Sequence, residues 1–455
     1  MKLTATWSKK QICIVFYSIL FSLLLTFLMI SGFFQTKVDL QWTNFQWVHR
    51  VGTNLWGMYA PHFHVGKRID YPPLYPILLS TLQGWLRPGL VWYTSSNAWF
   101  VFLAYVSIRF WPIVFQIANG WLIFRFCGQN LRAAALGLAL VLLPALTFNT
   151  IIWGQIDSAL IFFTLAAALL LKHDKVRFSA ILLGIGCLMK FQMLYFVPLF
   201  IAETWLKRGW RRTLDGVFYG FLTIYVGWFP FSLYNFDFLL PFTMTFKAFG
   251  EYSHLLMGGF NVWGASFYGR QPNIQMNQTF FGTFTYNQAN LLLIALILFF
   301  LGVAYWLRQQ KLMTFDMWSA GLIYTLAIFM LTGAQHERYQ LIMIPFLFLL
   351  LLTKSITHWV GDWVRWQCFS LLILFNEFTV WIQLEYHVFG SAKQAAQFYQ
   401  WGSLINVSLS LILLLWFLWA HYRQHLSITN SDLMAGQLRQ MVTRVKTWWV
   451  RKIKG

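Results

Sequence analysis

Residues 11–34 read QICIVFYSILFSLLLTFLMISGFF, and residues 39–76 read DLQWTNFQWVHRVGTNLWGMYAPHFHVGKRIDYPPLYP. The first stretch has no charge and exceeds the roughly 18 apolar residues that mark a bilayer-spanning helix. It is too long for the apolar core of a signal peptide and lacks a small-residue cleavage site. It is expected to be the first transmembrane helix, with Lys9 and Lys10 holding its start in the cytoplasm. The second stretch is polar and aromatic, so it belongs at a membrane surface, where Trp and Tyr prefer to sit. It fits one or two interfacial helices, closed by the helix-breaking Pro72 and Pro73.

The rest of the chain repeats the first signal. Of 455 residues, 58% are hydrophobic and 11% charged, too few charges to cover a soluble surface. The apolar runs are continuous rather than alternating, so helices are expected, not a barrel. Spans are expected near 11–34, 74–87, 90–108, 110–127, 131–149, 158–172, 178–189, 193–205, 213–233, 290–307, 315–333, 340–353, 364–384 and 402–421. The fold class is thus an all-α polytopic membrane protein of about 11–14 transmembrane helices, with interfacial helices on the outer face. Residues 1–425 are expected to form the transmembrane domain. Its first outer loop would be 35–73 and its long outer loop 234–289. Residues 426–455 would be a basic cytoplasmic tail lying on an anionic leaflet.

The net charge of +20 does not point to nucleic acid. Lys and Arg sit mostly in short loops between apolar runs, where orientation bias accounts for them. Arg50, Lys67 and Arg68 run against that bias, which raises the prospect of a phosphate. Cys13, Cys127, Cys187 and Cys368 lie in or beside apolar runs with no metal or disulfide spacing.

With only fourteen acidic residues in the chain, two in the first outer loop, Asp39 and Asp70, draw attention. Orientation set by Lys and Arg alone brings Asp39, Asp70, Asp157, Lys190, His336, Glu337 and Arg338 to one face, the non-cytoplasmic one. Each also has a plainer reading. Asp39 would cap an interfacial helix, Asp70 start a turn, Asp157 cap a helix, Lys190 snorkel, and Glu337 neutralise Arg338. Arg109, Glu203 and Glu251 read as structural.

The motifs Asp39, Asp70-Tyr71-Pro72-Pro73, Trp153-Gly154-Gln155-Ile156-Asp157, Lys190-Phe191-Gln192, Asn261-Val262-Trp263-Gly264 and His336-Glu337-Arg338-Tyr339 resemble, in order, the GT-C superfamily of multi-pass glycosyltransferases. They are most similar to its bacterial mannosyltransferase-like members and its dolichyl-phosphate-glucose glucosyltransferases. The resemblance implies a transferase using a polyprenyl-phosphate-linked sugar at the outer face, with a lipid-linked or polymeric glycan as acceptor. It implies an early Asp as base, which falls on Asp39, with Asp70 the alternative. Leu40 and Gln41 stand where a second acid is common in the family, which weakens the case for a metal. No cofactor is implied.

Chemistry gives the same division of labour. A phosphate leaves as a stable anion, whereas the acceptor hydroxyl needs a base. Arg338, His336, Lys190 and Arg68 are the candidate donor-phosphate ligands. Glu337, Asp157, Gln155, Trp153 and Tyr71 complete the candidate donor-binding set, and Trp42 adds an aromatic face for a sugar. The rival readings are a lipid-linked sugar flippase, which needs no base, and a non-catalytic subunit of a polysaccharide assembly complex.

Overall fold

The computed structural model describes residues 8–86, 94–250, 253–352 and 359–426. The expected turn at Arg87, the loop residues Glu251 and Lys354, and the basic tail from residue 427 lie outside them. The chain is an all-α polytopic membrane protein. Among the described residues, six helices are long and apolar enough to cross a bilayer. A bent pair, Leu131–Val141 with Pro144–Trp153, makes a seventh.

The first helix, Lys9–Ser31, starts at a capping box in which Ser8 and Gln11 satisfy each other's backbone N–H. It buries the stripe Ile12, Phe16, Leu20 and Phe27 and leaves most other positions to lipid. The stripe packs on Ala98–Phe126. Phe16 stacks on Phe124 with centroids 4.0 Å apart, and Phe33 meets Phe102 at the other end, so the two helices are antiparallel.

Ala98–Phe126 is one continuous helix, where two spans, 90–108 and 110–127, were expected. The expected turn fell at Arg109, and the structure shows why it fails. Arg109 is fully buried. It donates to the Ser31 carbonyl at 3.1 Å, the Thr36 hydroxyl at 3.0 Å and the Ile152 carbonyl at 2.7 Å. A charge that looked like a loop marker is instead a tie between three segments. The 32–97 stretch therefore begins and ends at the same side of the bundle and makes no net crossing. Two spans are lost together, so the orientation of everything downstream is unchanged.

Val176–Met189 packs against the long helix Val197–Asn235, which bends at Gly209 (φ 78°). The two arms replace the expected spans 193–205 and 213–233. At the bend, Arg177 pairs with Asp215 and Arg208 with Asp174. Nearby, Glu203 accepts from Tyr305 and pairs with Lys207 and Arg308, in keeping with its structural reading.

The first outer loop is ordered. A π-helical turn, Lys37–Asn44, runs into the helix Phe45–Thr53. The Glu385 carboxylate accepts the Lys37 and Val38 N–H groups and so caps that turn. Arg50 is buried and spent on three carbonyls, those of Met58, Ala60 and Val65, so it is a loop tie and no phosphate ligand. A hydrogen bond to a charged donor contributes about 1.5–3 kcal/mol. Arg50→Met should therefore loosen residues 54–68, read as faster limited proteolysis there with the transmembrane fragments intact.

The long loop is also built. It holds the helices Leu240–Gly250 and Val262–Phe267 and a small hairpin, Thr279–Phe281 with Phe284–Thr285. Asn261 caps the second helix, and Trp263 donates to the Leu331 carbonyl. Leu256–Met257 pairs in parallel with Gln335–His336, fixing the segment ahead of Glu337.

Candidate active site

Two clusters meet beneath the first outer loop. The first is built on a left-handed turn. Pro144–Trp153 ends in Gly154 at φ 85°, and the Asn149 carbonyl accepts both the Gly154 and Gln155 N–H groups. A Cβ at Gly154 would stand 3.0 Å from Leu40 and 3.1 Å from the Arg109 guanidinium, so both φ and space favour glycine. The turn aims two side chains at one carboxylate. Trp153 Nε1 donates to Asp39 Oδ2 at 2.6 Å and Gln155 Nε2 to the same oxygen at 2.9 Å. Asp39 is half-buried, lies in the first turn of the π-helical segment, and has no cation paired to it among the described residues. Gly154→Ala places an L side chain in the left-handed region, costing about 1–2 kcal/mol. It should lower the melting temperature in detergent and reduce activity together.

The second cluster is ionic and buried. Asp157, the first residue of Asp157–Lys172, takes Lys190 Nζ on Oδ1 at 2.6 Å. Its Oδ2 accepts from Asn149 Nδ2 at 3.2 Å and lies 3.9 Å from Arg338 Nε. Arg338 pairs through Nη1 with Glu337 at 2.5 Å, and His336 Nδ1 is 3.6 Å from the other Glu337 oxygen. The plain reading of Glu337 and Arg338 as a mutually neutral pair is therefore part of the picture. Arg338 Nε has no hydrogen-bond partner among the described residues.

Trp153 joins the clusters. Its indole edge holds Asp39, and the Arg338 guanidinium lies over its face, 5.6 Å from the centroid. Tyr71 stands opposite, with Lys190 Nζ 5.8 Å from its ring. Burial pushes the Tyr71 phenol well above its usual range, so it stays a neutral hydroxyl. Gln192 donates to Tyr339, and Lys190 also faces the Tyr339 ring.

A cavity of about 280 Å³ opens beside this site. Asp70, Tyr71, Lys190 and Gln335 are among its polar lining residues, and Ile294, Leu298 and Ile328 among its apolar ones. Asp39 does not line it. Asp70 lines both this cavity and a second, of about 380 Å³, with Arg68. Arg68 is exposed and stands apart from the buried ion cluster.

Two members of the cluster had no sequence signal. Asn149 bridges Asp157 and Glu377, donating to Glu377 at 2.8 Å. Glu377 is fully buried in Trp359–Tyr386, in a stretch that reads as an ordinary span. Among the described residues no group of three or more His, Cys, Asp or Glu is arranged to hold a metal.

The chain has no match among curated proteins. The sequence model of Glycosyltransferase family 87 matches residues 70–333, more than half of the 455 residues. The match takes in Asp70, Tyr71, the Trp153–Asp157 motif and Lys190, while Asp39 and His336-Glu337-Arg338 flank it. With a multi-pass helical bundle and a match of that extent, the chain belongs to glycosyltransferase family 87 and is a membrane-embedded glycosyltransferase of the GT-C type.

Proposed function

We propose that the enzyme is an inverting hexosyltransferase. It takes a sugar from a polyprenyl-phosphate-linked donor and transfers it to an acceptor hydroxyl at the non-cytoplasmic face, in the assembly of a cell-surface glycan or glycolipid. The observation that carries the reading is Trp153, with a carboxylate at its edge and a guanidinium over its face. A base and a phosphate-binding cation are then held against one buried indole, which fixes their separation.

Asp39 is the general base. Two neutral donors hold Oδ2 and orient the carboxylate, leaving Oδ1 to take the acceptor proton. Arg338 offers the nitrogens that Glu337 leaves unused to the donor phosphate, with Lys190 and His336 beside it. Asp157 and Glu337 pair with both cations in a buried place before the donor arrives. The half-polar, half-apolar cavity suits a phosphate headed by a sugar and followed by a polyprenyl chain. With a phosphate leaving group and one base, a single displacement inverts the anomeric carbon.

The charge distribution supports this facing of the site. Lys172, Lys175, Arg177, Lys207, Arg208, Arg211, Arg212, Arg308 and Lys311 gather at the end of the bundle away from Asp39, as cytoplasmic ends do. Purified protein in liposomes given labelled polyprenyl-phosphate-glucose or -mannose should move label into a product. Translocation of intact donor without transfer would make the chain a flippase, and neither event would make it a non-catalytic subunit.

A further inference from the structure

Beyond Lys37 at its start, the first outer loop carries three cations, Arg50, Lys67 and Arg68, at the end of the bundle where cations disfavour the proposed orientation. Two are spent within the loop. Arg50 binds three carbonyls, and Lys67 donates to Thr43 at 2.9 Å. Arg68 is different. Its backbone is fixed, because the Trp47 indole donates to the Arg68 carbonyl at 3.2 Å and the preceding Gly66 turns the chain at φ 65°. Its side chain is exposed and has no hydrogen bond or ion pair among the described residues. Across the 380 Å³ cavity lies Lys247, from the last turn of Leu240–Gly250, also exposed and also without such a partner. The helix dipole accounts for one cation at a C-terminal turn; it does not account for Arg68 facing it. Burial and then the nearby Arg68 charge disfavour the charge on Arg50, so two cations lie close together in this corner of the loop.

We propose that Arg68 and Lys247 form an anion subsite for the acceptor, which therefore carries a phosphate group near the hydroxyl that receives the sugar. With Asp70, the third charged lining residue among the described residues, these side chains sum to a net charge of about +1, matched to a phosphate monoanion such as a diester. Asp70 and Ala248 line both this cavity and the one at the buried ion cluster, so a ligand anchored here adjoins the cavity assigned to the donor. The donor belongs in the other cavity, which has the apolar wall a polyprenyl chain needs. Among the described residues, the apolar side chains lining the cavity at Arg68 are Ile69, Met244 and Ala248.

The assignment to the acceptor rests on the transfer reaction proposed above, but the test reads binding and needs no turnover. Protein in phosphatidylcholine nanodiscs is titrated with inorganic phosphate, with and without saturating polyprenyl phosphate. In a second arm, retained lipid is counted by native mass spectrometry from nanodiscs containing phosphatidylglycerol. Both side chains are exposed, so R68Q/K247Q should fold, checked by its melting temperature, and K67Q serves as the control for loss of a neighbouring loop charge. The expected result is at least a tenfold loss of affinity or retention in R68Q/K247Q, none in K67Q, and no competition from polyprenyl phosphate. Loss in the phosphate arm identifies a soluble or polymer phosphate, and loss in the lipid arm alone identifies a lipid headgroup. Equal binding by wild type and R68Q/K247Q in both arms, or none by either, overturns the subsite. Displacement by polyprenyl phosphate overturns its assignment to the acceptor.

Discussion

Asp39→Asn should remove sugar transfer while leaving donor binding and stability near wild type. The amide is isosteric, so the change subtracts a base and little volume. Asp39 has no ion pair to lose among the described residues, and its two partners, Trp153 and Gln155, donate to Oδ2 alone. An amide oxygen placed there still accepts both bonds. What disappears is the capacity to take the acceptor proton, which contributes about 10²–10⁴-fold to such a step, or about 3–5.5 kcal/mol of barrier. The signature is a fall in kcat with the donor Kd unchanged, measured by turnover and by equilibrium titration of the donor.

The second large effect is on the buried ion cluster, and it separates two roles of one residue. Lys190→Met leaves Asp157 buried beside Asn149 and Glu377, a region already rich in carboxylates. Removing one partner of a buried pair costs about 3–5 kcal/mol. A clear drop in melting temperature is expected. Lys190→Met with Asp157→Asn removes both charges, and much of the stability should return. If Lys190 also binds the donor phosphate, the double variant stays impaired, with weaker donor binding at a restored melting temperature. Recovery of transfer along with stability would reduce Lys190 to a structural counter-ion.

The fold class was open to sequence reading because lipid demands long apolar helices, and these leave runs that no loop imitates. The first helix, the interfacial first loop and the stop at Pro72-Pro73 are all visible that way. Arg109 misled for the same reason. In a linear pattern a charge ends a span, and only the packed bundle shows three acceptors around it. The left-handed Gly154 turn explains why Trp153, Gln155 and Asp157 are spaced as they are. The short motif and its resemblance pointed to those residues, but their aim at Asp39 and Lys190 needed coordinates. Asn149 and Glu377 could not be found, since a single polar residue in an apolar run looks the same whether it faces a cluster or a carbonyl. Lys247 was hidden because its meaning lies in facing Arg68 across a cavity.

The central claim is that Asp39 is the base of a sugar transfer. Its most direct test is transfer of radiolabelled sugar from polyprenyl-phosphate-mannose or polyprenyl-phosphate-glucose into extractable products. Membranes would carry the wild-type chain, Asp39→Asn or Asp70→Asn at matched expression. The account predicts signal in wild type, loss of at least a hundredfold in Asp39→Asn, and a smaller loss in Asp70→Asn. Full transfer by Asp39→Asn, with loss confined to Asp70→Asn, would contradict it and move the base to the carboxylate that lines both cavities.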